Sequence, residues 1–282
     1  MQIAIAQVNA FTANSKGGNP AGVVLKAEGL SDVQMLSIAK QAAYSETAFI
    51  TNSPVATRRV RFFTPTEEVD LCGHATIASW SYMFRQGLVT SGDYTQDTKA
   101  GLLKVTVSGD GLVYMQQTKA DFFEEVDAAE IAPILKISTS DFNPYLKPQI
   151  VSTGLRDLFV PVASEAVLNS IKPDLETMTE ISRKYAVTGL HVFALTLDQE
   201  SVVAARNFAP LYGIDEESAT GTSNGAMLCY LKSYKALPDQ AEYRIEQGKT
   251  MHQLSHIYGT FKDDIVWVGG RASMIKESQI LV

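Results

Sequence analysis

The sequence contains two copies of one pattern, separated by about 145 residues. Five landmarks of the first half recur in the same order in the second, and their separation grows gradually from 136 to 148 residues. The pairs are Gly18 and Gly154, Met35 and Met178, Phe49 and Phe193, Pro65 and Pro210, and Gly73 and Gly221. An ordered series of this kind predicts an internal duplication and two similar half-domains, with a candidate site where they meet. The alternative is that unrelated segments share a common succession of strands and helices.

The bulk composition is that of a globular protein and argues against a nucleic-acid partner. The 282 residues are 45% hydrophobic and 20% charged, which suits one large or two medium domains. The formal net charge is -7. Nonspecific binding to a phosphate backbone needs clustered cations, and the close group Arg58, Arg59 and Arg61 lies in a strand-like run. We therefore expect no nucleic-acid binding.

Cysteine content and hydropathy favour a soluble protein of the reducing cytoplasm. Cys72 and Cys229 are too few for a disulfide framework, and neither belongs to a CxxC pair typical of zinc sites. The first residues, MQIAIAQVNAF, alternate apolar and polar side chains and predict a strand instead of a signal peptide. The apolar runs are shorter than a membrane-spanning helix requires, so we expect no membrane association.

Local patterns predict a similar order of elements in both halves. Ser31 and Gln34 form a capping box before a helix, and strands are predicted at 47–51 and 58–64, before a helix headed by Gly73. The corresponding predictions in the second half are a helix from Asp174, strands at 190–197 and 201–208, and a glycine-headed helix over about 222–234.

These elements divide the chain into two predicted domains. The N-terminal half covers residues 1–118 and the C-terminal half residues 119–273. The last strand, 274–282, is a candidate to complete the N-terminal half.

Two glycines at predicted helix N-termini suggest a site for a small carboxylate. Gly73 and Gly221 each follow a polar loop and head an apolar helix. A helix N-terminus offers backbone N–H groups and a positive dipole end, and glycine lets a ligand approach the backbone. His74, Thr222 and Ser223 could add side-chain hydrogen bonds. The alternative is that these glycines and hydroxyls only cap helices.

Glu46 is the candidate acid and base. It lies between a predicted helix and a predicted strand, and its counterpart in the second half is Leu190, so the duplicated halves differ at this carboxylate. Apolar neighbours and a nearby helix entrance would tune its ionisation in opposite directions, and such a group can take a proton from carbon and return it elsewhere. The alternative is a surface glutamate that caps a turn.

Cys72 suggests a rival mechanism. Cofactor-independent epimerases can use two opposed thiols, one to remove a proton and one to deliver it. The position matching Cys72 is Thr220, which excludes such a pair, although Cys72 could still act opposite Glu46. Its other interpretation is simple packing.

The remaining polar residues do not suggest a metal or nucleotide site. Three histidines lack ligand-like clustering with carboxylates, and they are His191, His252 and His256. The loop GNPAG lacks the Walker lysine pattern. Asp215 and Glu217 precede the N-terminus of the predicted helix that begins at Gly221, and either could orient His74. We expect neither a metal nor an organic cofactor.

Taken together, the motifs resemble the phenazine-biosynthesis PhzF-like family, which is related in fold to diaminopimelate epimerase and proline racemase. The matching segments span most of the chain in order. They are GGNPAGVVL at 17–25, LSDVQMLSIAKQAAYSETAFI at 30–50, RFFTPTEEVDLCGHATIA at 61–78, STGLRDLFVPV at 152–162, SATGTSNGA at 218–226 and EQG at 246–248.

The resemblance implies an α+β fold of the diaminopimelate epimerase-like type. Each pseudo-symmetric half would be a curled mixed β-sheet around a central helix, with the site in the cleft between the halves. It also implies a homodimer and catalysis without metal or organic cofactor. Glu46 matches the family's acid/base glutamate, Gly73 with His74 its first substrate-binding motif, and Gly221 with Thr222 its second. Well-understood members isomerise a dihydro-hydroxyanthranilate.

Two departures separate this chain from that substrate. Many relatives have Asp-Pro before ATG, whereas this chain has Glu217 and Ser218. The segment after EQG is KTMHQLSHI and lacks a Gly-Arg-Pro found in many relatives.

The sequence therefore predicts a cofactor-independent isomerase of a small carboxylated metabolite, with Glu46 as acid/base and substrate contacts from Gly73, His74, Glu217, Gly221 and Thr222. Further candidates are Cys72, Asp215 and Ser223. One alternative is an amino-acid epimerase or racemase that uses Glu46 with Cys72. Another is a non-catalytic metabolite-binding protein.

Overall fold

The computed structural model describes residues 1–196 and 200–282, which divide into two compact units. Unit 1 comprises Met1–Gln116 and Gly269–Val282, and unit 2 comprises Gln117–Val268. The predicted strand 190–197 corresponds to an observed strand over Gly189–Leu195, and position 197 lies outside the described residues.

Unit 1 is a mixed sheet with two helices. Its strands are β1 (Gln2–Ala10), β2 (Asn19–Val24), β3 (Thr47–Thr51), β4 (Arg58–Phe63), β5 (Glu68–Val69), β6 (Gly92–Thr98), β7 (Gly101–Val107), β8 (Val113–Gln116) and β18 (Ala272–Leu281). Its helices are α1 (Asp32–Ala42) and α2 (Gly73–Arg85). The C-terminal strand β18 pairs antiparallel with β1 along its length.

Unit 2 has the remaining elements. Its strands are β9 (Asp121–Glu125), β10 (Gln149–Ser152), β11 (Arg156–Pro161), β12 (Gly189–Leu195), β13 (Val203–Ala209), β14 (Ile214–Glu217), β15 (Tyr243–Gln247), β16 (Ser255–Lys262) and β17 (Ile265–Gly270), which begins here. Its α-helices are α3 (Ala128–Leu135), α4 (Glu165–Ser170), α5 (Leu175–Tyr185) and α6 (Gly221–Ser233). Short 3₁₀ turns cover Thr139–Asp141, Pro210–Tyr212 and Lys249–Met251.

The two units repeat one strand topology, which confirms the predicted pseudo-symmetric halves. In unit 1, β1 and β2 are antiparallel, β2 and β3 parallel, β3 and β4 antiparallel, and β4 and β6 parallel. In unit 2 the same succession joins β10 to β11, β12, β13 and β15. A matching ion pair strengthens the correspondence, because Arg61 binds Glu68 through two nitrogens as Arg206 binds Glu216.

Each unit has a central, almost completely buried helix. Every residue of α2 from His74 to Met83 is buried, and the helix contacts strands β1, β2, β3, β7, β8 and β18 of its own sheet. Helix α6 is similarly buried and contacts β10 and β16. Burial on all sides explains why neither helix has a continuous polar face. A second core layer lies beside each sheet, formed in unit 1 by α1 residues such as Met35 and Ile38.

Helix length and polarity also bear on membrane association. Within the described part of the chain, no helix combines the length and the apolar character needed to cross a bilayer.

Gly189→Ala is expected to destabilise unit 2. A Cβ at Gly189, the first residue of β12, would lie 1.8 Å from the carbonyl oxygen of Phe208 on β13. The contact is with backbone, so the strands would have to separate, at about 1–3 kcal/mol or more of unfolding free energy. Thermal unfolding measures the effect against Gly109→Ala, where a Cβ meets nothing within 4 Å. Equal melting temperatures for the two variants would contradict this expectation.

Candidate active site

The end of α1 and the start of β3 fix the backbone at Glu46. Helix α1 ends at Ala43, whose left-handed conformation (φ 56°, ψ 30°) turns the chain toward β3. The carbonyl oxygen of Glu46 accepts a hydrogen bond from the Gly22 N–H at 3.0 Å. The next residue, Thr47, is fully buried and pairs with Phe63 on β4. Strand pairing on both sides therefore holds the Glu46 backbone in place.

The side chains of Glu46, Cys72 and His74, here called the EHC cluster, lie together in unit 1. Nε2 of His74 is 3.2 Å from Oε2 of Glu46. Sγ of Cys72 lies 3.5 Å from Nδ1 and 3.9 Å from Nε2 of the same ring. The hydroxyl of Ser45 is 3.4 Å from Nε2. His74 thus links a carboxyl group and a thiol that lie far apart in sequence.

The side chains of the EHC cluster are buried to different degrees. The His74 side chain is 5% exposed and that of Glu46 is 20% exposed. Oε2 of Glu46 is shielded from solvent and makes no well-aligned hydrogen bond, although His74 faces it closely. The 3.2 Å separation from Nε2 of His74 makes this ring the close partner of the carboxyl group. A ligand could reach this carboxyl group through its exposed part.

Burial and the neighbouring groups shift the pKa of Glu46 in opposite directions. Burial raises the pKa of Glu46, but the close contact and the charge of His74, helped by Ser45 and Cys72, outweigh it and leave the pKa below its ordinary value. Cys72 is the N-cap of α2 and His74 its second residue, so the N-terminus of this helix also favours a negative charge nearby. Glu46 is therefore a carboxylate at neutral pH and is ready to accept a proton.

The partners of Glu46 respond in the opposite direction. Burial lowers the pKa of His74, but contacts with Cys72 and Glu46 raise it well above the ordinary value. Burial, reinforced by the charge of Glu46, raises the pKa of Cys72. The thiol is then neutral, so we assign the rise at His74 chiefly to the Glu46 carboxylate. The cluster is best described as an ion pair beside a thiol.

The second predicted motif begins α6 in unit 2. Gly221 is the first helical residue, and Thr220 is the N-cap. The Thr220 hydroxyl donates to Oε2 of Glu217 at 2.7 Å. Gln247, from the EQG segment, donates from Nε2 to the Glu217 carbonyl oxygen at 2.7 Å and contacts the Thr220 hydroxyl at 3.1 Å. Gln247 therefore joins the predicted Glu217 and the helix entrance.

The other predicted residues of unit 2 have different surroundings. Thr222 is half-buried, and its carbonyl oxygen accepts from the Thr153 hydroxyl at 3.3 Å. Ser223 is buried and donates its hydroxyl proton inward to Asp157 at 2.6 Å. Asp215 is exposed on β14. Their predicted substrate contacts stay predictions.

A buried polar network beneath the start of α6 was not predicted from the sequence. Its members are Asp157, His191, Asn207, Ser223 and Asn224. The His191 ring lies between Asn224, at 3.2 Å from Nε2, and Asn207, at 3.0 Å from Nδ1. Burial lowers the pKa of His191 to about 4, so its ring is neutral at pH 7. The one available signal was the polar character of three of these positions, Asp157, His191 and Asn207, within apolar strands.

Asp157→Asn is expected to change how stability depends on pH. Burial raises the pKa of Asp157 to about 6, opposed by the Ser223 hydrogen bond and helped by the charge of Glu217. A carboxyl group with a raised folded-state pKa keeps its proton longer when folded, so wild-type stability falls as pH rises from about 4 to about 6. The fall is at most roughly 3 kcal/mol for a shift of this size. Asparagine cannot ionise and lacks this loss.

Chemical denaturation at pH 4 and pH 7 measures the difference. The variant should gain unfolding free energy relative to wild type between these two pH values, whatever its absolute stability. Asp239→Asn, at an exposed aspartate, is the control and should follow wild type. A pH-independent difference between Asp157→Asn and wild type would contradict the assignment.

Comparison with known proteins places the chain in a family. The model of the PhzC-PhzF family, described as phenazine biosynthesis-like protein, matches residues 8–278. An uncharacterized isomerase of Clostridium acetobutylicum is 34% identical over 98% of this chain and 97% of its own length. The uncharacterized isomerase YddE of Escherichia coli K12 is 34% identical over 84% of this chain and 82% of its own.

Solved structures agree. A Bacillus anthracis phenazine biosynthesis protein of the PhzF family has a TM-score of 0.90 and 31% identity, with all of both chains covered. A probable proline racemase from Agrobacterium radiobacter has a TM-score of 0.66 at 14% identity, covering 99% of this chain and 93% of its own, and shows a shared fold alone. The chain therefore belongs to the PhzC-PhzF family of phenazine biosynthesis-like proteins, and it is an isomerase.

Proposed function

We propose that this isomerase moves a proton between carbon atoms of a small carboxylated metabolite, with Glu46 as the single acid/base. The observation that supports it best is the Glu46 carboxylate, held 3.2 Å from His74 at the start of α2 and partly open to solvent. Its lowered pKa supplies the proton-accepting form in the free enzyme. Once protonated, the same group can return the proton to another carbon of the substrate.

The electrostatic surroundings support the developing charge. Proton removal next to a carboxylate or conjugated ring places negative charge on the substrate. His74, as a cation, and the backbone at Gly73, at the positive end of α2, can stabilise that charge. We assign further substrate contacts to Gly221, Thr222 and Glu217, as the sequence predicts. The proposed reaction has no net redox change, so it needs no oxidant or reductant.

Geometry favours one base over two. A two-base epimerase needs its acid and base on opposite faces of one carbon. In the EHC cluster, one ligand atom from each of Glu46, Cys72 and His74 lies within 4.8 Å of the others, and His74 contacts both partners. A substrate carbon does not fit between groups joined in this way. This arrangement favours transfer of the proton on one face of the substrate by Glu46.

A screen followed by isotope exchange tests the proposal. Small cyclic and amino carboxylic acids are screened for thermal stabilisation of the protein, and the hits are incubated in D₂O. We expect at least one hit to be isomerised with deuterium exchange at carbon. Racemisation that Cys72→Ser abolishes would favour the epimerase instead. Hits that stabilise the protein yet stay chemically unchanged would favour a binding protein.

The proposal also includes the homodimer that the family resemblance implies.

A further inference from the structure

We propose that the EHC cluster, when no substrate is bound, is a zinc-binding site whose occupancy blocks the enzyme. The cluster offers a thiol from Cys72, an imidazole nitrogen from His74 and a carboxylate oxygen from Glu46. These are the three ligand types that Zn²⁺ takes in proteins. The sequence did not predict the site, because its ligands come from two separate segments and show none of the regular spacings of zinc motifs.

The distances fit a tetrahedral ion. Zinc bonds of about 2.0 to 2.3 Å place neighbouring ligand atoms roughly 3.3–3.6 Å apart. Nε2 of His74 is 3.2 Å from Oε2 of Glu46 and 3.9 Å from Sγ of Cys72. All three ligand atoms lie within 4.8 Å of one another, so small side-chain rotations complete the geometry. Three protein ligands leave one position for water.

The environment also suits a cation. Zinc would replace the protonated His74 as the positive partner of Oε2 of Glu46, which lies 3.2 Å from Nε2 and is shielded from solvent. The Glu46 side chain is 20% exposed, which gives an entry path. Binding releases the Cys72 thiol proton and the His74 ring proton to solvent, and bonds form from zinc to sulfur, nitrogen and oxygen. Nothing is oxidised or reduced.

Occupancy and turnover exclude each other. Zinc would bind the Glu46 carboxylate, which the proposed reaction needs as its base. It would also deprotonate His74, so the positive charge beside Glu46 would no longer be that of the imidazole. The inference therefore goes beyond the proposed function and predicts inhibition by Zn²⁺ and other thiolate-binding divalent ions but not by Mg²⁺, which avoids thiolate ligands.

Cobalt spectroscopy of the full-length protein tests the site. Co²⁺ replaces Zn²⁺ and reports a bound thiolate through a near-ultraviolet charge-transfer band. We expect one Co²⁺ per chain, displaced by Zn²⁺. Cys72→Ala should abolish the band, and Glu46→Gln should weaken binding at least by the roughly tenfold that loss of even an outer-shell partner costs. Cys229→Ala, at the half-buried cysteine of α6, is the matched control and should retain the band.

A second measurement on unaltered protein covers the case in which Cys72→Ala fails to fold. Alkylation of both cysteines is followed by mass spectrometry with and without Zn²⁺. We expect Zn²⁺ to protect Cys72 and leave Cys229 unchanged. Absence of a cobalt band, a band that survives in folded Cys72→Ala, or measurable alkylation of Cys72 that zinc leaves unchanged would overturn the proposal. These readouts need no substrate, so their failure is distinct from failure of the proposed isomerisation.

Discussion

Glu46→Gln is expected to abolish turnover while the fold and ligand binding persist. The amide has the size of the carboxylate but cannot accept a proton from carbon. Loss of a positioned acid/base group lowers kcat by about 10²- to 10⁴-fold. The backbone at this position is held by Gly22 and by the pairing of Thr47, neither of which the substitution alters. The measurement is deuterium exchange into a substrate found by the screen, with EDTA present to exclude metal ions.

Thermal stabilisation by the same ligand separates binding from chemistry. Glu46→Gln should be stabilised by the ligand about as much as wild type is, because the carboxylate-binding backbone is unchanged. Glu28→Gln makes the same chemical change at an exposed glutamate of unit 1 and should keep full activity. Undiminished deuterium exchange in Glu46→Gln would show that this residue is not the base of the reaction.

Local sequence signals predicted the helix entrances and the candidate base. Ser31 caps α1 through Gln34 as the capping box predicts, and glycine begins both α2 and α6. These features depend on residues close together in the chain. The repeat could also be predicted from its ordered landmarks, and the equivalent ion pairs of Arg61 and Arg206 in the structure agree with it. The comparison of Glu46 with Leu190 singled out the acid, although its catalytic role stays a prediction.

Contacts that depend on strand register could not be predicted. His191 meets Asn207 because β12 and β13 pair with these two residues opposite each other. Asp157 reaches Ser223 only because β11 lies beside the start of α6. A shift of one residue in the register of β11, β12 or β13 would turn these side chains to the other face of the sheet. The sequence showed polar residues in apolar strands but had no means to pair them, so Asp157 and the His191 network were missed.

The contact between Glu46 and His74 also joins residues of separate elements, and it supports the second large expected effect. His74→Asn should lower kcat. It should also shift the acidic limb of the pH profile of kcat/KM to higher pH. In wild type, burial raises the pKa of Glu46 and His74 more than offsets it. Without the imidazole, burial dominates and Glu46 holds its proton at higher pH, so less of the free enzyme has the base form. The loss of a charge-stabilising donor also lowers kcat by roughly 10²-fold or more.

The pH profile distinguishes this role from a merely structural one. A variant that only loosened the site would lose rate equally at all pH values and leave the acidic limb in place. His256→Asn is the matched control, because His256 also faces a glutamate, Glu246, at 3.8 Å, but lies on β16 of unit 2. Its acidic limb should coincide with that of wild type. An unmoved limb in folded His74→Asn would show that another group sets the ionisation of Glu46, and the ion pair would lose its place in the proposed mechanism.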